Sequence, residues 1–244
     1  MPATPAWPPK SLPRLFVRGA LAEGARIDLD AGQANYLGNV MRLGEGAEVL
    51  LFDGNSGEWL GRIAEAGKKR IALMVERRTR EPEDVPDVWL AFAPIKRTHT
   101  DWLVEKATEL GVAKLIPVMT QRTIAERVKL ERLEAIAIEA AEQCGRTRLP
   151  EIAKPVTLAQ LLREDDRPLY FADEAGGDPV ASAFKPGTAT ILTGPEGGFT
   201  DQERAKIRAA AQAVPISLGP RILRAETAAL ASLAAYMAVA GDWR

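Results

Sequence analysis

The 244-residue sequence predicts an α/β protein in two parts: a small β-barrel, then a parallel sheet with helices on both faces. Three observations carry this. Residues 14–80 hold five short runs with apolar alternation, parted by Gly-rich or charged turns. After an acidic, proline-punctuated segment (Glu81-Pro82-Glu83-Asp84-Val85-Pro86), the pattern changes to strands alternating with helices. Within Thr188–Ala235, two apolar runs, Ala189–Thr193 and Val214–Leu218, each break at a Gly-Pro pair and feed a helical pattern.

In the first part the strands are expected at Arg14–Val17, Ala25–Leu29, Ala47–Phe52, Trp59–Glu65 and Arg70–Glu76. One helix interrupts them, Asp30–Leu43, with Asp30 as N-cap and Gly44 as stop. Tyr36, Leu37, Val40 and Met41 would share its apolar face. Residues 1–13 contain five prolines and read as an extended arm rather than a secretory signal.

The second part should open on a strand, Val88–Ile95, followed by a helix, Thr100–Leu110, stopped by Gly111. Strand Ala113–Met119, helix Lys129–Cys144, short helix Leu158–Arg163 and strand Pro168–Ala172 follow. The two Gly-Pro units complete it, with helices Asp201–Ala213 and Arg224–Ala240. Two tandem strand–turn–helix units build a parallel sheet, and such sheets bind ligands at the carboxyl ends of their strands. Both Gly-rich turns would lie there.

Bulk properties narrow the function classes. The net charge of −1 excludes a wholly basic nucleic-acid binder, although residues 1–80 carry 12 Lys/Arg against 9 Asp/Glu. One cysteine, Cys144, excludes an internal disulfide, indicates a reducing compartment and leaves no His/Cys metal cluster beside the single His99. The Ala-rich final helix is too short for a membrane span, so the expected location is cytoplasmic. Arg14 and Arg42 sit beside apolar residues at element ends, and a small barrel with a basic rim can hold RNA by its backbone. Arg146 and Arg148, in a Gly-Arg-Thr-Arg loop after a helix stop, are further expected phosphate contacts.

Three segments then carry a resemblance: LTGPEGGFTDQE (Leu192–Glu203), LGPRILRAETAAL (Leu218–Leu230) and AAEQCGRTRLPEI (Ala140–Ile152). With Glu105–Val112, Arg14–Val17 and Val40–Leu43, they resemble the 16S ribosomal RNA uridine-N3 methyltransferases of the knotted SPOUT superfamily. The resemblance runs from Arg14 to the end. It implies a PUA-like RNA-binding barrel over residues 14–80, a linker at 81–86 and a SPOUT methyltransferase domain with a deep trefoil knot over 87–244. It also implies S-adenosylmethionine as cofactor, a homodimer, and the small ribosomal subunit as partner. The product would be 3-methyluridine in the decoding region of 16S rRNA, at uridine 1498 in standard numbering. Many members carry a histidine where this chain has Asn35-Tyr36-Leu37, so a role resting on that histidine does not transfer.

On this reading, the main chain of Leu192, Thr193, Leu218 and Leu223 reads the adenosine, with Thr227 also in the cofactor set. Gly194, Gly197, Gly198 and Gly219 allow close backbone approach. Glu196 either accepts from ribose hydroxyls or faces the dipole of the Asp201 helix. Uridine N3 is a poor nucleophile until its proton leaves, so Arg221 and Arg224 are expected to stabilise the anion or orient the cofactor carboxylate. Glu226 pairs with one of them or acts as base; alternatively Glu226 or Thr227 caps the last helix. Methylation at N3 needs no covalent attack, so Cys144 reads as a packed small hydrophobe, and His99 as a surface or helix-start residue.

Two other functions fit less of the sequence. A SPOUT transfer-RNA ribose 2′-O-methyltransferase would show a Ser-Leu-Asn-rich segment where this chain reads Gly219–Thr227. A non-catalytic ribosome-assembly factor would have no use for two Gly-rich turns framing a nucleotide-sized pocket. The Gly-Pro-Glu-Gly-Gly turn lacks the Gly-Lys-Ser/Thr ending of a P-loop.

Overall fold

A computed structural model describes residues 12–67, 70–124 and 127–243, which form two compact units. Lys68, Lys69 and most of the Pro-rich arm expected to be extended lie outside the described residues. The first unit runs to Glu83 and also includes Gly145–Arg148; the second comprises Asp84–Cys144 and the chain from Leu149 onward.

The first unit is a half-barrel sheet of five strands: β1 (Arg14–Phe16), β2 (Arg26–Asp28), β3 (Glu48–Phe52), β4 (Glu58–Ala66) and β5 (Ile71–Arg80). Their order is β1-β3-β4-β5-β2, antiparallel except for the β1–β3 pair. Val49, Leu51, Ile63, Leu73 and Val75 alternate onto the inner face and pack with Leu37 and Ala34. Helix α1 (Ala31–Asn35) begins at the expected N-cap, Asp30, whose carboxylate accepts from Gln33 N at 2.9 Å in a capping box. The helix does not continue to Leu43. Tyr36–Val40 widen into a π-helical turn, Met41 N donating to Tyr36 O, and Arg42 takes φ +56°. Widening breaks the 3.6-residue period, so of the four apolar residues expected inside, only Leu37 is buried, and Tyr36, Val40 and Met41 are exposed.

The same unit corrects two of the expected phosphate contacts. Arg14 lies inside it: Nε is 2.8 Å from buried Glu58 Oε2, Nη2 donates to Arg146 O, and the guanidinium covers the Phe52 ring. Arg146 is 6% exposed with Nε beside Glu83 Oε1. A buried guanidinium held by a carboxylate is a structural ion pair and presents no face to a phosphate. Arg42 and Arg148 are exposed.

The second unit adds β6 (Val88–Phe92), α2 (Arg97–Glu109), β7 (Lys114–Met119), α3 (Leu130–Cys144), β8 (Glu151–Ile152), β9 (Val156–Thr157), α4 (Leu158–Glu164), β10 (Leu169–Ala172), β11 (Asp178–Pro179), α5 (Val180–Ala183), β12 (Ala189–Thr193), α6 (Asp201–Ala209), β13 (Ala213–Ser217) and α7 (Ala225–Val239). All its strand pairs are parallel, in the order β11-β13-β10-β12-β6-β7-β8, with β9 on β7. Alternate strand residues feed two cores. Val88, Leu90, Phe92 and Ile191 pack with α2, α3, α5 and α7; Ala91, Val118, Phe171 and Leu192 pack with α4 and α6. Helices therefore cover both faces, as the near-continuous apolar strands require. Cys144 ends α3 exposed, not packed: the Ala-rich face turned inward is Ala137, Ala140 and Ala141. Among the described residues no helix is long and apolar enough to cross a membrane, and no His/Cys/Asp/Glu cluster could hold a metal.

At the start of β6, the Arg167 guanidinium stacks 3.5 Å from the Trp89 ring centroid and binds the Asp87 carboxylate, to which Trp89 Nε1 also donates. Arg167, more than any other neighbour, holds the Asp87 carboxyl below its ordinary pKa. A carboxylate with a lowered folded pKa stabilises the fold above its unfolded value and loses that contribution as pH falls through the folded value. The stability gap between wild type and Asp87→Asn, measured by urea unfolding, should be constant above about pH 5 and close as the pH drops below the ordinary carboxylate range, about 3.9.

Candidate active site

The carboxyl ends of β6, β12, β10 and β13 are neighbours along one sheet edge. The turns that leave them enclose a cavity of about 810 Å³. That volume is in the range of sites for nucleotide-sized ligands. Gly194, Glu196 and Gly198 come from the turn after β12, and Leu218, Gly219, Arg221 and Leu223 from the turn after β13. Arg224 and Glu226 open α7 in the same wall. Of the expected cofactor residues, Thr193, Gly194, Glu196, Gly198, Leu218, Gly219 and Leu223 line this space, as do all three expected catalytic residues, Arg221, Arg224 and Glu226. Leu192, Gly197 and Thr227 do not. Leu192 is fully buried in β12, its side chain in the core shared with α4 and α6. Gly197 turns toward Arg122, which donates to its carbonyl at 2.6 Å. Thr227 is exposed on α7.

The glycines serve different ends. A Cβ on Gly194 would stand 3.2 Å from the Phe199 ring, which is buried beneath the turn. Gly219 has φ +102° and open space around it, so its backbone conformation, not crowding, requires glycine. Glu196 is exposed and does not serve α6. Thr200 is that helix's N-cap, and Glu203 closes a capping box with it while also accepting from Gln121 N at 2.8 Å.

Several lining residues escaped the sequence reading. Asp173 and Glu174 leave β10 between the two Gly-rich turns. The Asp173 carboxylate is almost fully buried and held by Arg204 and Arg208 of α6; Glu174 binds Arg204 at 2.6 Å. Lys96 and His99 come from the start of α2, and Ile124 and Ile222 are highly exposed apolar side chains. The one available signal for Asp173-Glu174 was its place after an apolar strand, since every parallel strand of such a sheet ends on the ligand edge. His99 offered none: its Nδ1 lies 3.1 Å from Glu226 Oε1, a contact across 127 positions of sequence. Glu226 caps nothing, and α7 starts at Arg224 without a side-chain cap. A second cavity, about 380 Å³, shares Lys96, Ile124 and Glu196 with the first and is bordered by Arg97, Arg127, Lys129 and Arg132.

Residues 81–237 match the RNA methyltransferase domain family, and residues 29–75 the RNA methyltransferase PUA domain. A ribosomal RNA small subunit methyltransferase E of Rickettsia conorii is 33% identical over 91% of this chain and 93% of its own length. The chain belongs to the ribosomal RNA small subunit methyltransferase E family. A family member from Bacillus subtilis is 29% identical over 88% of this chain and 91% of its own. Among solved structures, a protein described as a methyltransferase from Legionella pneumophila, with bound cofactor SAM, superposes with a TM-score of 0.88. It is 30% identical and covers 95% of this chain and 99% of its own. The methyltransferase E of Neisseria gonorrhoeae, bound to S-adenosyl methionine, gives 0.83 at 28% identity over 96% and 100%.

In this family member, Glu203 ties the segment after β7 to the turn that holds Gly194–Phe199. Glu203→Ala strands Gln121 N and Thr200 N without their acceptor and should cost about 2–3 kcal/mol. Hydrogen exchange should accelerate at these two amides well before global unfolding; unchanged protection would show that the turn does not depend on the tie.

Proposed function

We propose that this chain transfers a methyl group from S-adenosylmethionine to N3 of a uridine in the decoding region of 16S rRNA, uridine 1498 in standard numbering. The observation that carries this is the meeting of Arg221, Arg224 and Glu226 with both Gly-rich turns around one cavity at the ligand edge of the sheet. The residues suit the cofactor. The cavity is large enough, Glu174 and Glu196 offer acceptors for hydroxyls, and Glu226 Oε2 is a buried oxygen without a hydrogen-bond partner, which a ligand donor would satisfy. Leu218, Gly219 and Leu223 line it, which supports a main-chain reading of the adenosine, and Leu192 would take part through its backbone; Gly197 and Thr227 do not line it.

S-adenosylmethionine, when bound, supplies an electrophilic methyl group on a sulfonium. The protein's share is to align acceptor and donor and to favour the N3 anion. Arg221 and Arg224 have no carboxylate partner among the described residues, so their charge is available to the uridine oxygens or the cofactor carboxylate. Glu226 serves the removal of the N3 proton. The basic border of the second cavity suits the phosphates that flank the target base, and exposed Arg42, Tyr36 and Arg148 offer charge and a stacking face on the PUA-like unit. A cytoplasmic homodimer with the small ribosomal subunit as partner belongs to this reading. Exposed Trp102 and Ile222 are apolar surface that a second copy would cover. So does the trefoil knot: β13 lies beyond β10 from β12, and α7 then returns to pack on β12 and β6.

Small subunits incubated with the protein and S-adenosylmethionine should yield 3-methyluridine, located by mass spectrometry of nuclease fragments. A methyl group on a ribose would refute the N3 assignment. Arg221→Ala and Arg224→Ala should each lower turnover at least ~100-fold with circular dichroism unchanged. Near-normal rates in both would remove them from the catalytic role.

A further inference from the structure

Three buried carboxylates border or support the cavity, and two of them have both oxygens occupied. Glu203 accepts from Gln121 N on one oxygen and from Thr200 on the other. Asp173 is held by Arg204 on one and Arg208 on the other. Glu226 is as deeply buried as Asp173, 7% exposed, yet it engages only His99 Nδ1, through Oε1, and leaves Oε2 unpartnered. A carboxylate placed for stability alone would have both oxygens satisfied. Both residues line the cavity, and α2 packs on α7, so the pair is built by tertiary contact between two helix starts.

A carboxylate at Nδ1 fixes one imidazole tautomer. With Glu226 Oε1 3.1 Å away, the favoured tautomer keeps its proton on Nδ1 and leaves the Nε2 lone pair free, and the ring, 37% exposed at its side chain, opens onto the cavity. We propose that His99 Nε2 is the proton acceptor for uridine N3 and that Glu226 is its positioning residue. This rests on the methyl-transfer reading of the site. The N3–H bond breaks and its proton goes to Nε2. The N3 lone pair forms the new N–CH3 bond, the S–CH3 bond breaks with its electrons to sulfur, and the imidazolium releases the proton to water. Imidazole is the side chain most often used as a general base, since it is neutral, keeps one lone pair free and can pass its proton on to water. Of the charged groups around the ring, Lys96 comes from the N-terminal side of its own helix, and Arg221, Arg224 and Glu196 from the facing turns. Asp173, Glu174 and Arg204 on the same wall are bound to one another.

The test is kcat and KM with S-adenosylmethionine and small subunits for wild type, His99→Ala and Glu226→Gln, with cofactor affinity followed by calorimetry. His99→Ala should be ~100-fold slower, regain at least about tenfold with added imidazole, and bind the cofactor as wild type does. Glu226→Gln should lower kcat about tenfold with KM unchanged, because the ring loses the carboxylate that orients it. A His99→Ala rate within about threefold of wild type, or no gain with imidazole, would overturn the assignment and leave the methyl-transfer reading standing. Absence of any N3-methylated product from wild type would overturn both.

Discussion

The candidate site depends on one pairing: β10 lies between β12 and β13, parallel to both. Leu169–Phe171 pair with Thr190–Leu192 on one side and with Ala213–Pro215 on the other. Because all three strands run the same way, their carboxyl ends share an edge, and β6 joins them through β12. Strands that end together must release their turns together. The two successive Gly-rich turns, the Asp173-Glu174 turn and the start of α2 therefore converge on one cavity. A register slip of one residue in β10 would reverse which of its side chains face each core, so the double pairing is strongly specified.

Around that edge the structure separates two uses of charge. Asp173 and Glu203 are buried with their hydrogen-bonding capacity met, and they fix turns. Arg221, Arg224 and the Glu226–His99 pair keep capacity unspent inside the cavity. Low effective dielectric makes satisfied networks rigid and unsatisfied groups costly. The cost is tolerated where a ligand completes the bonding. The same contrast separates the arginines of the PUA-like unit, where Arg14 and Arg146 serve the fold while Arg42 and Arg148 stay in solvent.

The π-helical turn after α1 shows a local departure of the same kind. Asp30 and Gln33 start an ordinary helix, but Tyr36–Val40 trade regular hydrogen bonding for a wider turn that exposes three apolar side chains next to Arg42 at φ +56°. Irregular backbone of this sort is commonly held where a surface is used.

The sequence by itself determined the two-part division, the alternation of elements and the strand ends that carry the site. Apolar periods of 2 and 3.6, Gly-Pro breaks and caps are local properties that act over a few residues. It also determined about half of the cavity lining, because Gly194–Gly198 and Leu218–Glu226 must follow strands Ala189–Thr193 and Ala213–Ser217 wherever those strands sit. Only the tertiary structure decided which arginines are spent in ion pairs, since Arg14 and Arg146 look no different from Arg42 and Arg148 in a linear pattern. It alone brought Asp173 between the two turns and set His99 against Glu226. Pairings at such separation arise from the order in which parallel strands assemble, and strand order is not written in any local window of the chain.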